Sequence, residues 1–368
     1  MSSLIVPSDL LPADGRFGCG PSLIRRAQSD VLAALGTTVM GTSHRQPPVK
    51  HLVGKIRESL TALFGLPDGY EVALGNGGST FFWDAATFGL IRDRSQHVDT
   101  GEFGAKFATA ARRAPFLADP EVVSAPPGEL ALPQASPDVD AYAWAQNETS
   151  TGVLAPVRRV TEDALMLVDA TSSAGGVSVD ITQTDAYYFA PQKCFGSDGG
   201  LWFAVLSPAA VARIEELSDR WVPESLSLPA ALENSRKNQT LNTPAIATLV
   251  LMAEQLDWLL ESGGLRFAAA RTAASAEVLY SWAEQSWYAS PFVQRIEARS
   301  PVVGTIEIDG AIDAARVTAA LRNNGVVDIE PYRKLGRNQI RVGMFPSVDP
   351  GDVAALTKCV DYVVEHLA

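Results

Sequence analysis

The segment ALMLVDATSSAGGVSVDITQTDAYYFAPQKCFG, residues 164–196, contains two short apolar runs that are each followed by a polar side chain. Asp169 ends the first run, and Lys193 follows the second, 24 residues further along the chain. This distance fits one strand–crossover–strand step, so the segment predicts two parallel strands in a sheet that helices cover. Functional groups in such sheets gather at the carboxyl ends of the strands, which is where both side chains would lie.

A lysine at this place has two interpretations. Taken by itself, the local sequence favours a lysine whose ammonium group reaches solvent from a loop. A lysine held among apolar neighbours would instead have a lowered pKa, because burial penalises the charged ammonium form. The residues that follow the other strands are needed to decide between the two.

On both sides of this segment, short apolar runs alternate with helical patterns between about residues 50 and 260. This alternation predicts an α/β fold with a mainly parallel sheet. Residues 244–286 have the pattern of long helices. Beyond them the sequence predicts a smaller α+β unit, with strands in VVGTIEIDG, VVDIEP and NQIRVGMFP and a closing helix in DVAALTKCVDYVVEHLA. We therefore expect an N-terminal arm that packs with the small domain, a large domain and a small C-terminal domain, at residues 1–20, 21–260 and 261–368.

The composition excludes several classes of function. With 30 Lys and Arg against 42 Asp and Glu, the net charge is −12, which argues against a nucleic-acid partner and against attraction to an anionic membrane. No apolar run is long enough to span a membrane, and the N-terminus lacks the pattern of a signal peptide. Three scattered cysteines and four dispersed histidines predict neither a disulfide framework nor a zinc site. We therefore expect a cytoplasmic protein without a bound metal.

Polar residues after two further strands complete a pattern. Glycines followed by Ser79 and Thr80 at a helix start can cradle a phosphate, although a plain turn with a hydroxyl cap has the same residues. The motif NETSTG offers the hydroxyl of Thr149, and Asp169 alone is equally typical of a strand-ending turn. Taken together, a phosphate cradle, a hydroxyl, a carboxylate and the amine of Lys193 at one sheet edge match what pyridoxal phosphate requires.

The order of these motifs resembles the phosphoserine aminotransferases, a family of class V aminotransferases with the type I fold of aspartate aminotransferase. The matching motifs run from about Gly18 to the C-terminus and are, in chain order, GTSHRQP, GNGGST, TGEFGAKFA, NETSTG, VDATSS, PQKCFG, LNTP and IRVGMFP. The resemblance implies a large domain with a mainly parallel seven-stranded sheet, a smaller α+β C-terminal domain, pyridoxal 5′-phosphate as cofactor, and a homodimer.

The resemblance also implies the residues that bind the cofactor. Lys193 would be the Schiff-base lysine and proton shuttle, and Asp169 would bind the pyridine nitrogen. The other contacts would come from the phosphate-binding residues Ser79 and Thr80, the stacking ring of Phe103, and Thr149 and Gln192. Two positions depart from the pattern of the family: Phe103 stands where tryptophan is frequent, and the cradle lacks the Gly-Arg pair of some members.

Five further residues would complete the site. Asn242 and Thr243 would begin a helix and reach the cofactor phosphate from the second subunit, so that the dimer shares its active sites. His44 and Arg45 match a His-Arg pair at the substrate side chain, and Arg341 matches the arginine that binds the substrate carboxylate.

The reaction implied is transfer of the amino group of L-glutamate to 3-phosphohydroxypyruvate, giving O-phospho-L-serine and 2-oxoglutarate in L-serine biosynthesis. Use of a phosphorylated precursor of vitamin B6 stays open. The role of Arg333, Lys334 and Arg337 also stays open: these residues either belong to a solvated loop or assist phosphate binding.

Three alternatives remain beside this interpretation. An alanine–glyoxylate aminotransferase would not need cations for a distal anion, and a cysteine desulfurase would need a thiolate on a mobile loop. We expect Cys194 and Cys359 to be packing residues instead, and the aromatic residues of 81–88 to pack their helix. A non-catalytic module that binds a sugar phosphate or nucleotide could use the same cradle, but would not bind a cofactor through lysine.

Overall fold

The computed structural model describes residues 4–367, so residues 1–3 of the predicted arm and residue 368 of the predicted small domain lie outside it. The helices are α1 (Arg26–Leu35), α2 (Pro47–Phe64), α3 (Ser79–Gly89), α4 (Glu102–Arg113), α5 (Pro208–Glu216), α6 (Leu228–Arg236), α7 (Ile246–Glu261), α8 (Gly264–Gln285), α9 (Ala314–Asn323) and α10 (Pro350–His366). The strands are β1 (Glu71–Asn76), β2 (Ser95–Asp99), β3 (Glu121–Ser124), β4 (Ala141–Ala145), β5 (Asn147–Glu148), β6 (Val153–Leu154), β7 (Leu165–Asp169), β8 (Ala186–Phe189), β9 (Leu201–Leu206), β10 (Ala289–Pro291), β11 (Val303–Ile308) and β12 (Gln339–Gly343).

A seven-stranded sheet forms the centre of the larger part of the molecule. Its strand order is β1-β9-β8-β7-β4-β2-β3. Strand β9 is antiparallel to both of its neighbours, whereas the other pairings are parallel. The predicted α/β fold with a mainly parallel, seven-stranded sheet is therefore confirmed.

The side chains of this sheet alternate between two apolar cores, because successive residues of a strand point to opposite faces. In β7, Met166 and Val168 enter the core formed with α2 and α7. Leu165 and Leu167 enter the core formed with α3 and α4. Asp169 continues the second series, so its carboxylate lies on the α3 side of the sheet.

The smaller part contains a three-stranded antiparallel sheet in the order β10-β11-β12, which α9 and α10 help to cover. The strand predicted in VVDIEP is wrong. Only Val327 pairs, in an isolated bridge with Arg16. Asp328 has φ of +65°, a left-handed conformation that cannot continue a strand.

The N-terminal segment packs on this smaller part. Val6 and Phe17 are buried in the same apolar core as α9 and α10. The backbone N–H of Phe17 donates to the carbonyl of Val327 at 3.2 Å, and its carbonyl accepts from Gly343 N–H at 2.8 Å. We retain the division into residues 1–20, 21–260 and 261–368 as a proposal, which these contacts and the separation of the two sheets support.

None of the helices within residues 4–367 is long and apolar enough to cross a membrane.

Candidate active site

The carboxyl ends of the parallel strands surround a cavity of about 310 Å³. Among the residues that line it are seven that the sequence predicts as cofactor contacts: Ser79, Thr80, Phe103, Thr149, Asp169, Gln192 and Lys193. A larger cavity, of about 570 Å³, lies beside it between α3 and α4, but its lining includes neither the lysine nor the aspartate. We therefore take the smaller cavity, which holds both reactive groups, as the candidate active site.

Lys193 lies in the turn after β8, and only 7% of its surface is exposed. Its Nζ donates a hydrogen bond to Thr149 Oγ1 at 3.0 Å. Burial lowers the pKa of Lys193 to about 8, although the negative charge of Asp169 opposes that shift. The alternative of a solvent-exposed lysine is therefore wrong.

The N-terminal segment closes one side of the cavity against Lys193. Gly20 has φ of +135°, and a Cβ added there would lie 2.8 Å from Lys193 Cε, so a side chain does not fit. Ser22 donates from its backbone N–H to the carbonyl of Gln192 at 2.8 Å and from its hydroxyl to the carbonyl of Lys193 at 2.5 Å. The lysine turn is thus held by a segment far from it in sequence.

Asp169 is buried at the end of β7 and accepts three hydrogen bonds. Thr171 donates to Oδ1 from its backbone N–H at 2.9 Å and from its hydroxyl at 2.5 Å. The indole N–H of Trp83 donates to Oδ2 at 3.2 Å. Burial raises the pKa of Asp169, and the hydrogen bonds from Thr171 and Trp83 oppose the rise. A cation beside the carboxylate would favour its charged form further.

Trp83 and Thr171 are site residues that the sequence analysis missed. Trp83 packs its helix as expected, since it stacks with Phe107 at 6.1 Å between ring centroids, but it also orients Asp169. One signal could have found it. Trp83 lies four residues after Ser79, and positions i and i+4 share one face of a helix.

Ser79 and Thr80 are the first two residues of α3, where backbone N–H groups have no partner within the helix. Together with the positive end of the helix dipole, these groups favour an anion such as a phosphate. The Ser79 hydroxyl lies 2.5 Å from Thr171 Oγ1, so the cradle and Asp169 contact the same threonine.

Two buried oxygen atoms of the site lack a hydrogen-bond donor among the residues that the structure describes. They are Asn147 Oδ1 and Gln192 Oε1, and both residues line the cavity. Because buried polar atoms are nearly always paired in proteins, these two favour a ligand that brings donors of its own. The ring of Phe103, whose centroid is 5.6 Å from Lys193 Nζ, offers such a ligand an aromatic surface.

Arg341 lies within β12, as predicted, and is absent from the cavity lining but contacts Thr149, which belongs to it. Its Nη1 donates to the backbone carbonyl of Thr149 at 3.0 Å, and its guanidinium is 5.2 Å from the ring centroid of Tyr332. Its Nε is buried and has no partner within residues 4–367. The remaining donors suit a carboxylate.

Four predicted site residues form a second group, and they are absent from the lining of the candidate active site: His44, Arg45, Asn242 and Thr243. Thr243 Oγ1 lies 3.2 Å from His44 Nδ1, and the backbone carbonyl of Thr243 accepts from Asn76 Nδ2 at 2.9 Å. Arg45 is exposed and donates to Gln239 Oε1 at 3.2 Å. One chain therefore brings these four residues to one surface, apart from its own lysine.

The expectation that Asn242 and Thr243 begin a helix is wrong. Helix α7 begins at Ile246, and the residues before it are irregular. Pro244 accounts for the difference, because the residue that precedes a proline is disfavoured in the helical conformation.

The basic run after Tyr332 is largely engaged within the chain. Lys334 forms an ion pair with Glu102, and Arg337 forms one with Glu307 at 2.8 Å. Because both side chains already have partners at the surface, a solvated loop explains Lys334 and Arg337 without a role in phosphate binding. Within residues 4–367, no three His, Cys, Asp or Glu side chains are grouped in a way that could hold a metal ion.

Comparisons with known proteins agree with this geometry. The model of the aminotransferase class-V family matches residues 21–328. The chain is 62% identical to a putative phosphoserine aminotransferase of Mycolicibacterium vanbaalenii and 60% identical to a phosphoserine aminotransferase of a Nocardioides species, with 99% of each chain covered in both cases.

The fold is shared with a solved phosphoserine aminotransferase of Cytophaga hutchinsonii. The TM-score is 0.88 at 23% sequence identity, and the match covers 95% of this chain and 99% of that one. Fold, site geometry and sequence identity agree, and the chain therefore belongs to the class V aminotransferases and, within them, to the phosphoserine aminotransferases.

Proposed function

We propose that this chain transfers the amino group of L-glutamate to 3-phosphohydroxypyruvate, giving O-phospho-L-serine and 2-oxoglutarate, in the cytoplasmic synthesis of L-serine. The observation that carries the proposal is the buried amine of Lys193. It lies in one cavity with Asp169, in a chain 60% identical to a phosphoserine aminotransferase over nearly its whole length.

The cavity fits pyridoxal 5′-phosphate by the chemistry of its donors and acceptors. When bound, this cofactor supplies an electron sink for negative charge at the α-carbon of an amino acid. We assign the phosphate to the α3 N-terminus at Ser79 and Thr80, and the pyridine nitrogen to Asp169. Phe103 would cover the ring, while the unpaired oxygens of Asn147 and Gln192 would accept hydrogen bonds.

Lys193 is suited to move the proton of the substrate α-carbon. A general base works best when its pKa is near the operating pH, and burial lowers the pKa of Lys193 to about 8. A substantial fraction of the amine is then neutral near pH 8 and can accept the proton at Nζ. The contact with Thr149 orients Nζ, and Gly20 leaves the room that the side chain needs.

Both substrates carry two anionic groups, so the site must supply local cations in a chain whose net charge is −12. We assign Arg341 to the α-carboxylate that both substrates share, because its buried Nε still lacks an acceptor. We assign Arg45, helped by His44, to the distal anion, which is a phosphate in one substrate and a γ-carboxylate in the other.

We also propose a homodimer with shared active sites. His44, Arg45, Asn242 and Thr243 lie together on a surface outside the cavity that holds Lys193 of the same chain. This grouping favours their action across a two-fold interface, where each chain completes the site of its partner.

A comparison of amino acceptors tests the proposed reaction. With glutamate as donor, we expect 3-phosphohydroxypyruvate to give a much higher kcat/KM than oxaloacetate, pyruvate or glyoxylate. A preference for glyoxylate or pyruvate would show instead that the chain acts on small keto acids. A protein that holds pyridoxal phosphate yet uses none of the four acceptors would also contradict the proposal.

The alternative of a cysteine desulfurase receives no support. Cys19, Cys194 and Cys359 are all buried, and burial raises the pKa of each thiol, so none is an exposed thiolate. The expectation that Cys194 and Cys359 are packing residues is confirmed by their places in apolar clusters.

Arg45→Ala should remove the preference for phosphorylated over plain hydroxypyruvate. One charge-assisted contact contributes about 1.5–3 kcal/mol, so the ratio of the two kcat/KM values should fall roughly 10- to 100-fold. Arg333→Ala is the matched control, because it removes another exposed arginine, one that belongs to the basic run of residues 333–337. If Arg333→Ala lost the preference and Arg45→Ala kept it, phosphate recognition would belong to that run.

Hybrid dimers should recover activity if the sites are shared. A mixture of Lys193→Ala and Arg45→Ala chains, unfolded and refolded together, would form hybrids in which one site has both wild-type contributions. Activity with 3-phosphohydroxypyruvate should then exceed the average of the two parent variants. Activity equal to that average would place Arg45 and Lys193 of one chain in the same site.

A further inference from the structure

Glu148 is a fully buried carboxylate to which the proposed reaction gives no task. It forms strand β5 with Asn147 and is followed by Thr149, and both of these neighbours line the active-site cavity. Its own carboxylate points away from the cavity lining, towards the first turn of α4. Burial of a carboxylate is costly, so its partners need to be identified.

The carboxylate of Glu148 accepts four hydrogen bonds. Oε2 accepts from the backbone N–H groups of Phe103 at 3.1 Å and Gly104 at 3.2 Å, which belong to the first turn of α4. Oε1 accepts from the N–H of Ser150 at 3.1 Å and from its hydroxyl at 2.6 Å. The Ser150 hydroxyl itself accepts from Glu102 N–H at 3.1 Å, which adds a further link to the first turn of α4.

Three of the four donors to Glu148 are backbone N–H groups, which cannot accept a proton, whereas the Ser150 hydroxyl can donate or accept. Burial raises the pKa of Glu148, but the hydrogen bonds from Ser150, Gly104 and Phe103 oppose that rise. The positive end of the α4 dipole adds to their effect.

The carboxylate joins two walls of the active site. On one side it holds the turn that presents Thr149 to Lys193, and on the other it holds the helix turn that presents Phe103. The approach is close, because a Cβ added at Gly101 would lie 2.6 Å from Glu148 Cγ. Glu148 therefore links the backbone beside Phe103 to the backbone beside Thr149.

We propose that Glu148 is a positioning residue, whose carboxyl group fixes the ring of Phe103 opposite Thr149 and so sets the width of the cofactor site. The inference rests on the proposed function, because it takes Phe103 as the ring that covers pyridoxal phosphate. Glu148 itself would touch neither substrate nor cofactor.

Glu148→Gln tests the proposal with little change of volume. Its amide NH₂ would replace an acceptor that faces two donors, so the first turn of α4 should loosen. We expect the dissociation constant for pyridoxal phosphate to rise about tenfold, because backbone N–H groups that donate to Glu148 would face an NH₂ group in the variant and lose their acceptor. The visible circular dichroism of the bound cofactor should also change, because the ring above it moves.

Two controls separate positioning from general stability. Asp140→Asn removes another carboxylate that accepts backbone N–H groups, those of Arg92, Asp93 and Arg94, away from the cavity. It should lower the Tm without changing the dissociation constant or the dichroism. In a Phe103→Leu background, Glu148→Gln should change the dissociation constant less than twofold, because the ring through which it acts is gone.

If Glu148→Gln does not fold, Ser150→Ala replaces it as the test, since it removes one of the four donors. It should change the cofactor dissociation constant and the circular dichroism in the same direction but less. Hydrogen exchange of the apo protein measures the contact without cofactor: the amides of residues 103 and 104 should exchange faster in both variants. A loss of Tm alone, with parental dichroism and cofactor affinity, would overturn the proposal. So would an equal loss of affinity in the Phe103→Leu background, or unchanged exchange of these amides. A parent protein that does not bind the cofactor at Lys193 would contradict the proposed function itself.

Discussion

Lys193→Ala is expected to abolish turnover while the protein keeps its fold. Proton transfer by a positioned group alone contributes about 10²–10⁴ in rate, and the variant would also lose the covalent attachment of the cofactor. Removing the amine should not lower the Tm, because a buried ammonium group is costly to desolvate. The measurements are steady-state turnover, thermal unfolding, and borohydride reduction of the holoenzyme followed by peptide mapping, which should place the cofactor on residue 193.

Lys106→Ala is the matched control for this variant. Its ammonium group lies 5.5 Å from the ring centroid of Phe103, close to the 5.6 Å of Lys193, but it is exposed and paired with Glu102. The control should keep its cofactor and most of its activity. Label on a lysine other than Lys193 would contradict the assignment.

The pKa of Lys193 gives this assignment a pH dependence. Burial lowers the pKa to about 8, and only the neutral amine reacts with an aldehyde. The rate at which the apo protein takes up pyridoxal phosphate should therefore rise with pH through about 8 and level off above it. A rate that rises only near pH 10, the range of an exposed lysine, would mean that the amine is not buried in solution.

Asp169→Asn is expected to lower kcat by about 10²–10³ while the cofactor stays bound, since one preorganised electrostatic partner is removed. The amide cannot stabilise a protonated pyridine nitrogen as a carboxylate does. Thr171 would still donate to the one remaining oxygen of the amide, which keeps the side chain in place, whereas the NH₂ group would lose the hydrogen bond from the Trp83 indole. The kcat with glutamate measures the loss of turnover, and the cofactor content of the purified variant shows whether pyridoxal phosphate stays bound.

Asp84→Asn controls for the loss of one negative charge near the site. Asp84 is exposed on α3, one residue after Trp83, and does not line the cavity of Lys193. It should leave kcat within about twofold, because solvent screens an exposed charge. If Asp169→Asn turned over like the parent protein, or if Asp84→Asn lost as much, the assignment of the pyridine nitrogen to Asp169 would fail.

The parts of the site that lie at strand ends could be predicted from the sequence. Asp169 and Lys193 follow apolar runs, and the parallel order of the strands brings their carboxyl ends to one edge. Trp83 could not be predicted in this way, because its contact with Asp169 depends on how α3 is rotated against the sheet. Glu148 lies in the NETSTG motif, and only the tertiary structure shows that its carboxylate faces α4.

The irregular segments were also beyond prediction from periodicity. VVDIEP has the composition of a strand, yet the left-handed conformation of Asp328 limits its pairing to one bridge with Arg16. The grouping of His44 with Thr243 arises between segments that are far apart in sequence, and no local pattern reports it.

The path of the N-terminal segment has a mechanical consequence. Phe17 is hydrogen-bonded to Val327 and Gly343 of the smaller part. Ser22, five residues later, is hydrogen-bonded to the carbonyl groups of Gln192 and Lys193. Only residues 18–21 separate these two sets of hydrogen bonds, so the smaller part and the lysine turn cannot move far apart. A rotation of the smaller part against the larger sheet would therefore displace the lysine turn. Domain movement and the alignment of the amine would be coupled.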